Sequence, residues 1–473
     1  MSTTETTPAA ARCPVDHSAG RRPPVTIRAA DLPAPKAPGA VQTYMFTKFQ
    51  TDWLEKVRDK LGHRFKLQLR PGPDMYVISD PGDVKEMFQA SPDVLHTGNG
   101  NDVSRKFFGR TGLAFLDGDE HKVRRKELLP SFKGTAYLRI KAAIEEMAER
   151  DIPNWPQNKV MPLRPIIHRF TVEVIREVVF GKVTPSCWDQ LIEEIMGVVE
   201  LNEHMTAAFP LEQMSGFSNW LIKSIPSTGL ASFLKHRARA DELLFEAFNE
   251  RREIGQLDDD LLSMMLKIEV DGRKLTDVEL RDEIMTLFLA GTETTVSSVA
   301  WALEYLSRFP VELARLRDEI DAGDTDDYLE AVCYEVLRLR PPLPLLMPRE
   351  VMKPIQIGGV YYEPGDIVWA SSHLLSTDPN NFDEPKAFRP ERYLNVKLDT
   401  TAWAPFGGNI TRCPGDKIAV DEMKSVLRVV LSHFDLDRPD KTPERVHHRG
   451  ILIKPEHGAR MALRARKRKA VTA

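Results

Sequence analysis

Between His121 and about Val430, apolar residues recur at three- and four-residue spacing, a period that predicts a mainly helical protein. Ahead of that stretch the pattern changes. Residues 52–65 read as a helix, and short extended runs near 66–69 and 75–79 predict a small sheet. From Ser91 to Gly118 the chain reads as a loop, broken by Gly98, Gly100, Gly109 and Gly112, although it carries Phe107, Phe108 and Phe115. An extended patch at 354–368 interrupts the helices, and a terminal hairpin is predicted over 450–463, turning at Pro455-Glu-His-Gly458. Thr276-Asp-Val-Glu279 forms a capping box that opens a long helical run to about Phe309.

No internal repeat and no Gly/Ser linker divides the chain. We read residues 1–40, rich in Ala, Pro and Thr, as a disordered lead-in without a signal or anchor segment. One domain then spans 41–464, and 465–473 is a basic tail, more readily a solvated end than a membrane or nucleic-acid contact. At 473 residues the chain is long enough to enclose a ligand. Its 65 basic and 69 acidic residues nearly balance, which gives no general pull toward nucleic acid. Cys13, Cys187, Cys333 and Cys413 are far apart and show no disulfide or zinc spacing, which fits a reducing cytoplasm. Cys13 and His17 offer two ligands where a structural zinc needs four.

Three segments carry candidate chemistry. Cys413 lies in Phe406-Gly-Gly-Asn-Ile-Thr-Arg-Cys-Pro-Gly415, directly before a helical pattern that starts at Asp416. Such a loop can hold one thiolate at a helix N-terminus, suited to an axial ligand of haem iron. The plainer reading is a buried structural cysteine. Ala290-Gly-Thr-Glu-Thr-Thr295 is weak helix sequence in the middle of the long run. Either it is a tolerated weak spot, or Gly291 makes room for a small ligand and Glu293 with Thr294 relays protons. Glu335 and Arg338 share a helix face, as an ordinary surface pair or as part of a buried network with Arg392 from Pro390-Glu-Arg-Tyr393.

In that order and spacing, these motifs resemble the cytochrome P-450 haem-thiolate monooxygenases, across nearly the whole folded chain. The resemblance implies a mainly α fold with minor β structure, a triangular helical body enclosing haem b between a long distal helix and a proximal Cys loop. It makes Cys413 the iron ligand and Phe406 the aromatic packed against it, with Gly415, Ala419 and Glu422 completing the pattern beyond the cysteine. Ala290, Gly291, Glu293 and Thr294 fall on the distal oxygen groove, with Glu293 and Thr294 as its catalytic pair. Glu335, Arg338 and Arg392 fall on the structural triad. His121, Arg125 and Arg349 match the partners of the haem propionates, which as anions suit such donors. Two positions depart from the pattern. Asn409 stands where Gly is usual, and Thr411, kept among the cofactor-binding positions, replaces a cationic donor. A further family segment reads Ser376-Thr-Asp-Pro379.

The activity implied is insertion of one oxygen atom from dioxygen into a small lipophilic substrate, such as a terpenoid, fatty acid, steroid or polyketide-like molecule. Phe107, Phe108, Leu287 and Leu345 are candidate lining, and 196–217 a candidate lid, although core packing is the plainer reading of each. The chain carries no flavin domain and no iron–sulfur cysteine cluster, so electrons are expected from a ferredoxin or flavodoxin type donor with its reductase. Lys122, Arg124 and Lys126 are a candidate docking face. The rival readings are a haem sensor or carrier without turnover, and an enzyme of the same fold that uses peroxide or isomerises its substrate.

Overall fold

The computed structural model describes residues 27–101, 105, 109–205, 230–255, 260–270 and 272–466. Phe107, Phe108 and the 206–217 part of the candidate lid lie outside them. Helix α1 (Gly39–Leu61) starts well before residue 52 and kinks at Phe49, with φ −136° and ψ 30°. The kink puts the apolar positions ahead of it out of phase with those after it. Strands β1 (Arg64–Gln68) and β2 (Asp74–Ile78) follow, then α2 (Pro81–Gln89), which Asp80 caps through the amides of Gly82 and Asp83. With β3 (Leu95–His96), β4 (Arg349–Val351) and β5 (Ile367–Ala370) they form one sheet in the order β1-β2-β5-β4-β3. The first residue of β4 is Arg349, which is thereby carried into the interior.

The helical body comprises α3 (Gly118–Leu128), α4 (Gly134–Asp151), α5 (Arg164–Phe180), α6 (Trp188–Met205), α7 (Leu230–Ile254), α8 (Asp277–Arg308), α9 (Pro310–Ala322), α10 (Asp327–Leu339) and α11 (Asp416–His433). The capping box at Thr276 and Glu279 forms in both directions. Helix α8 is the axis of the body and packs against α5, α10 and α11. Beyond Val296 it is buried almost all round, as expected of a helix inside a core.

Three expectations fail at the chain's ends. Residues 27–40 are ordered: Ile27 and Arg28 add a parallel strand beside Val360 and Tyr361, and α1 begins at Gly39. The predicted terminal hairpin does not pair with itself. Leu452–Pro455 pairs instead with Val446–Arg449 across Gly450 (φ 61°), while Arg460–Ala465 pairs with Phe434–Asp437 and with Met161 and Pro162. Alternation marks both strands but not their partners. The basic tail begins later than expected, because Ala465 is in that last strand and Arg466 pairs with Asp321. Among the described residues, no helix is long and apolar enough to cross a membrane.

Candidate active site

The loop before α11 is built by backbone geometry that its residues permit. Gly407 and Asn409 take left-handed φ values of 66° and 53°, the second in the region that Asn tolerates. The Cys413 amide donates to the Phe406 carbonyl at 2.9 Å, which closes the loop, and Gly415 caps α11. Phe406 packs edge-on against Trp403, 5.9 Å between centroids. Of the three described cysteines, Cys413 is accessible, Cys187 half-buried and Cys333 buried. The thiol still lies deep enough among protein atoms for burial to act on it. Burial pushes the thiol up to about 11, while the Gly415 amide works in the opposite direction.

The same loop is fastened to the end of α2. Asn409 Nδ2 donates to the Phe88 carbonyl at 2.6 Å, and the Phe88 ring lies over Gly408 so closely that no Cβ fits there. Arg349 joins this contact: Nη1 donates to the Met87 carbonyl and Nη2 to Thr411 Oγ1, each at 2.7 Å. Its Nε is buried without a partner. Burial alone lowers Arg349 to about 10.

His121 and Arg125, one turn apart on α3, join Arg349 in a cluster of nitrogen donors. Burial drives His121 down to about 4, helped by Arg125 and Arg349 and opposed by Asp117. Arg125 is close enough to Cys413 for their charges to interact, and its Nη2 donates to the Arg412 carbonyl at 2.7 Å. Among the described residues, no carboxylate forms an ion pair with Arg125 or Arg349. Sunken guanidinium donors beside an accessible thiol fit a cofactor that brings its own carboxylates and a thiolate-binding metal.

On α8 an accessible strip interrupts the buried surface: Ala290 is exposed and Leu287 and Thr294 are half-buried, whereas Thr292, Glu293 and Thr295 are buried. The threonines bond back as their chemistry suggests, Thr294 Oγ1 to the Ala290 carbonyl at 2.7 Å and Thr295 Oγ1 to that of Gly291 at 3.1 Å.

Four expected roles change. Gly291 does not open the groove: a Cβ there would sit 2.6 Å from Ile175 Cδ1, so the glycine lets α8 approach α5. Glu293 does not face the same way as Thr294. Its carboxylate turns to α5, where it pairs with Arg164 and lies 3.0 Å from His168 Nε2. Burial would raise it, but His168 and Arg164 prevail and hold it below the ordinary carboxylate range. Leu345 is packed into a small core with Leu54, Phe65 and Trp369, so it reads as structural. Arg124 is no surface cation: it is buried against Glu279 and Glu283, leaving Lys122 and Lys126 exposed on α3.

Glu335 and Arg338 form a fully buried ion pair at 2.7 Å, and Arg392 reaches Glu335 at 3.2 Å. Sequence reading missed a second junction. Asp282 Oδ2 accepts from the Thr111 amide and hydroxyl at 3.0 and 2.8 Å, and Glu283 Oε2 accepts from the Leu113 amide at 3.1 Å. These two acids of α8 hold the loop that leads to α3. It also missed Arg164, His168 and Thr171, whose hydroxyl donates to Glu422 at 2.7 Å. All of these pairings join residues more than a hundred positions apart, for which local pattern carries no signal.

The family model for cytochrome P450 matches residues 39–461. The chain is 30% identical over 442 residues to cytochrome P450 135B1 of Mycobacterium tuberculosis, covering 92% of this chain and 91% of that relative. It is 32% identical over 438 residues to cytochrome P450 138 of the same organism, covering 92% and 96%. The crystal structure of the cytochrome P450DA heme domain superposes with a TM-score of 0.78 at 22% identity, over 92% of this chain and 98% of that one, a likeness of fold. With the family model covering residues 39–461 and these relatives 92% of its length, the chain belongs to the cytochrome P450 family of haem-thiolate monooxygenases.

Proposed function

We propose that this chain inserts one oxygen atom of O2 into a lipophilic small molecule, using haem b and electrons from a separate ferredoxin or flavodoxin type donor with its reductase. The observation that carries this reading is the accessible Cys413 thiol beside His121, Arg125 and Arg349. Bound there, thiolate-ligated haem iron supplies dioxygen activation and oxygen-atom insertion. Cys413 would hold the iron as a thiolate, giving up its proton to do so. His121, Arg125 and Arg349 would hold its carboxylates, and Phe406 closes the Cys413 loop through its carbonyl.

Leu287, Ala290 and Thr294, the accessible strip of α8, would line the space for substrate. Leu287 and Ala290 give a lipophilic substrate an apolar surface, and the Thr294 hydroxyl is the polar group able to hold a proton there. Glu293 serves first as the tie between α8 and α5. A proton passing from it to Thr294 requires the carboxylate to leave Arg164 and His168. The exposed Lys122 and Lys126 suit an acidic electron donor, and the scattered reduced cysteines suit the cytoplasm.

The test is turnover of a lipophilic library with surrogate donors under labelled dioxygen. One labelled atom in the product, dependent on the donor, is the expected result. Product formed only with added peroxide, or without any label, would favour the peroxide-using or non-oxidative alternative.

A further inference from the structure

The two positions at which the Cys loop departs from the family pattern, Asn409 and Thr411, meet the same neighbour: the C-terminal end of α2. Asn409 bonds to the Phe88 carbonyl directly. Thr411 reaches that end through Arg349, whose guanidinium bridges Thr411 Oγ1 and the Met87 carbonyl and stacks 5.4 Å from the Phe88 ring.

The Thr411 hydroxyl is directional. It donates its one proton to the Gly408 carbonyl at 3.1 Å, so its lone pairs are what Arg349 meets. Two of the five guanidinium N–H groups are thereby fixed, and the orientation of the planar fork follows. Nε is enclosed by protein, so the donors left for a ligand are the second N–H groups of Nη1 and Nη2, and no carboxylate among the described residues forms an ion pair with the charge. A buried guanidinium charge without a counter-charge is costly unless a ligand supplies one.

We propose that Thr411 is a positioning residue, whose hydroxyl orients the guanidinium of Arg349 so that its remaining Nη N–H groups can meet a carboxylate of the bound cofactor. The loop thus holds that carboxylate through an arginine supplied by β4 instead of through a cation at position 411, the loop's own Arg412 being paired with Asp416. The inference rests on the reading of this site as a haem pocket. It assigns Asn409 the companion task of fixing the loop so that Thr411 and Arg349 stay in register.

The experiment follows transfer of haem from the purified holoprotein to a high-affinity haem scavenger, by absorbance, for wild type, T411V and T411S. T411V keeps the shape but removes the acceptor, and should lose haem roughly tenfold faster or more, the scale on which outer-shell partners act. T411S restores the hydroxyl and should return the wild-type rate. Because Thr411 acts through Arg349, adding T411V to R349K should accelerate loss no further than R349K alone. If T411V purifies without haem, reconstitution of its folded apoprotein with haemin reads the same ordering as dissociation constants. Equal rates for wild type and T411V, or full additivity with R349K, overturn the proposal. A wild-type protein that binds no haem with a thiolate spectrum would instead overturn the reading of the site.

Discussion

Arg338 is locked to Glu335 by two hydrogen bonds, Nε to Oε2 at 2.7 Å and Nη2 to Oε1 at 2.8 Å, with both side chains fully buried. The guanidinium also donates to the carbonyls of Ser376, Pro385 and Ala387, so one side chain joins α10 to the segment before Arg392. Removing it leaves Glu335 charged and buried and three carbonyls without their donor. Arg338→Ala should cost about 3–5 kcal/mol and yield little soluble haem protein. Arg338→Lys should fail nearly as badly, because an ammonium cannot reproduce the fork. Soluble yield and thermal unfolding check this, and normal values for either variant would contradict it.

Glu422 is buried on α11 with the Thr171 hydroxyl as its hydrogen-bond partner, and burial raises it from 4.5 to about 8. Between those values the folded chain holds a proton that the unfolded chain has released, so its contribution to stability falls as pH rises. Glu422→Gln carries no such proton. Denaturant unfolding at pH 5 and pH 8, at equal haem loading, should show the variant gaining on wild type at the higher pH. The gain should be on the order of 1–3 kcal/mol. A constant difference between the two pH values would mean that Glu422 is ionised in the fold.

The acids that pin the loop before α3 give a local prediction. Asp282→Asn and Glu283→Gln weaken the bonds to Thr111 and Leu113. Hydrogen exchange at those two amides should speed up by the equivalent of about 1–3 kcal/mol of lost protection. Exchange elsewhere in α8 should stay as it is. A uniform rise across the helix would point to global destabilisation.

Thr294→Ala removes the hydroxyl from the accessible strip of α8 without touching Cys413, His121, Arg125 or Arg349. Haem content should therefore be unchanged. Proton handling should suffer on a scale of roughly 10²–10⁴-fold at that step, so less product should form per electron and more hydrogen peroxide should appear. The ratio of product to reduced nicotinamide consumed measures it, and an unaltered ratio would make Thr294 a bystander.

What was legible in the sequence was whatever local chemistry dictates. The Thr276 capping box, the helix after Gly415, the left-handed turn at Asn409 and the Glu335–Arg338 pair all depend on neighbours within a few residues. The errors lie where a distant partner decides. Gly291 suggests room for a ligand until Ile175 is seen to fill it. Glu293 and Thr294 are adjacent in sequence, yet a helix turns successive side chains about 100° apart, and Arg164 with His168 claims the acid. Arg124 sits among surface lysines in sequence and inside in space, because Glu279 and Glu283 of α8 meet it there.

The central claim is that Cys413 is the thiolate ligand of a haem, and the carbon monoxide difference spectrum of the reduced protein tests it most directly. Wild type should give the thiolate-type Soret band, and Cys413→Ala should lose that band while keeping folded protein, as judged by circular dichroism. A histidine-type band in wild type, or a thiolate-type band that survives in Cys413→Ala, would contradict the account.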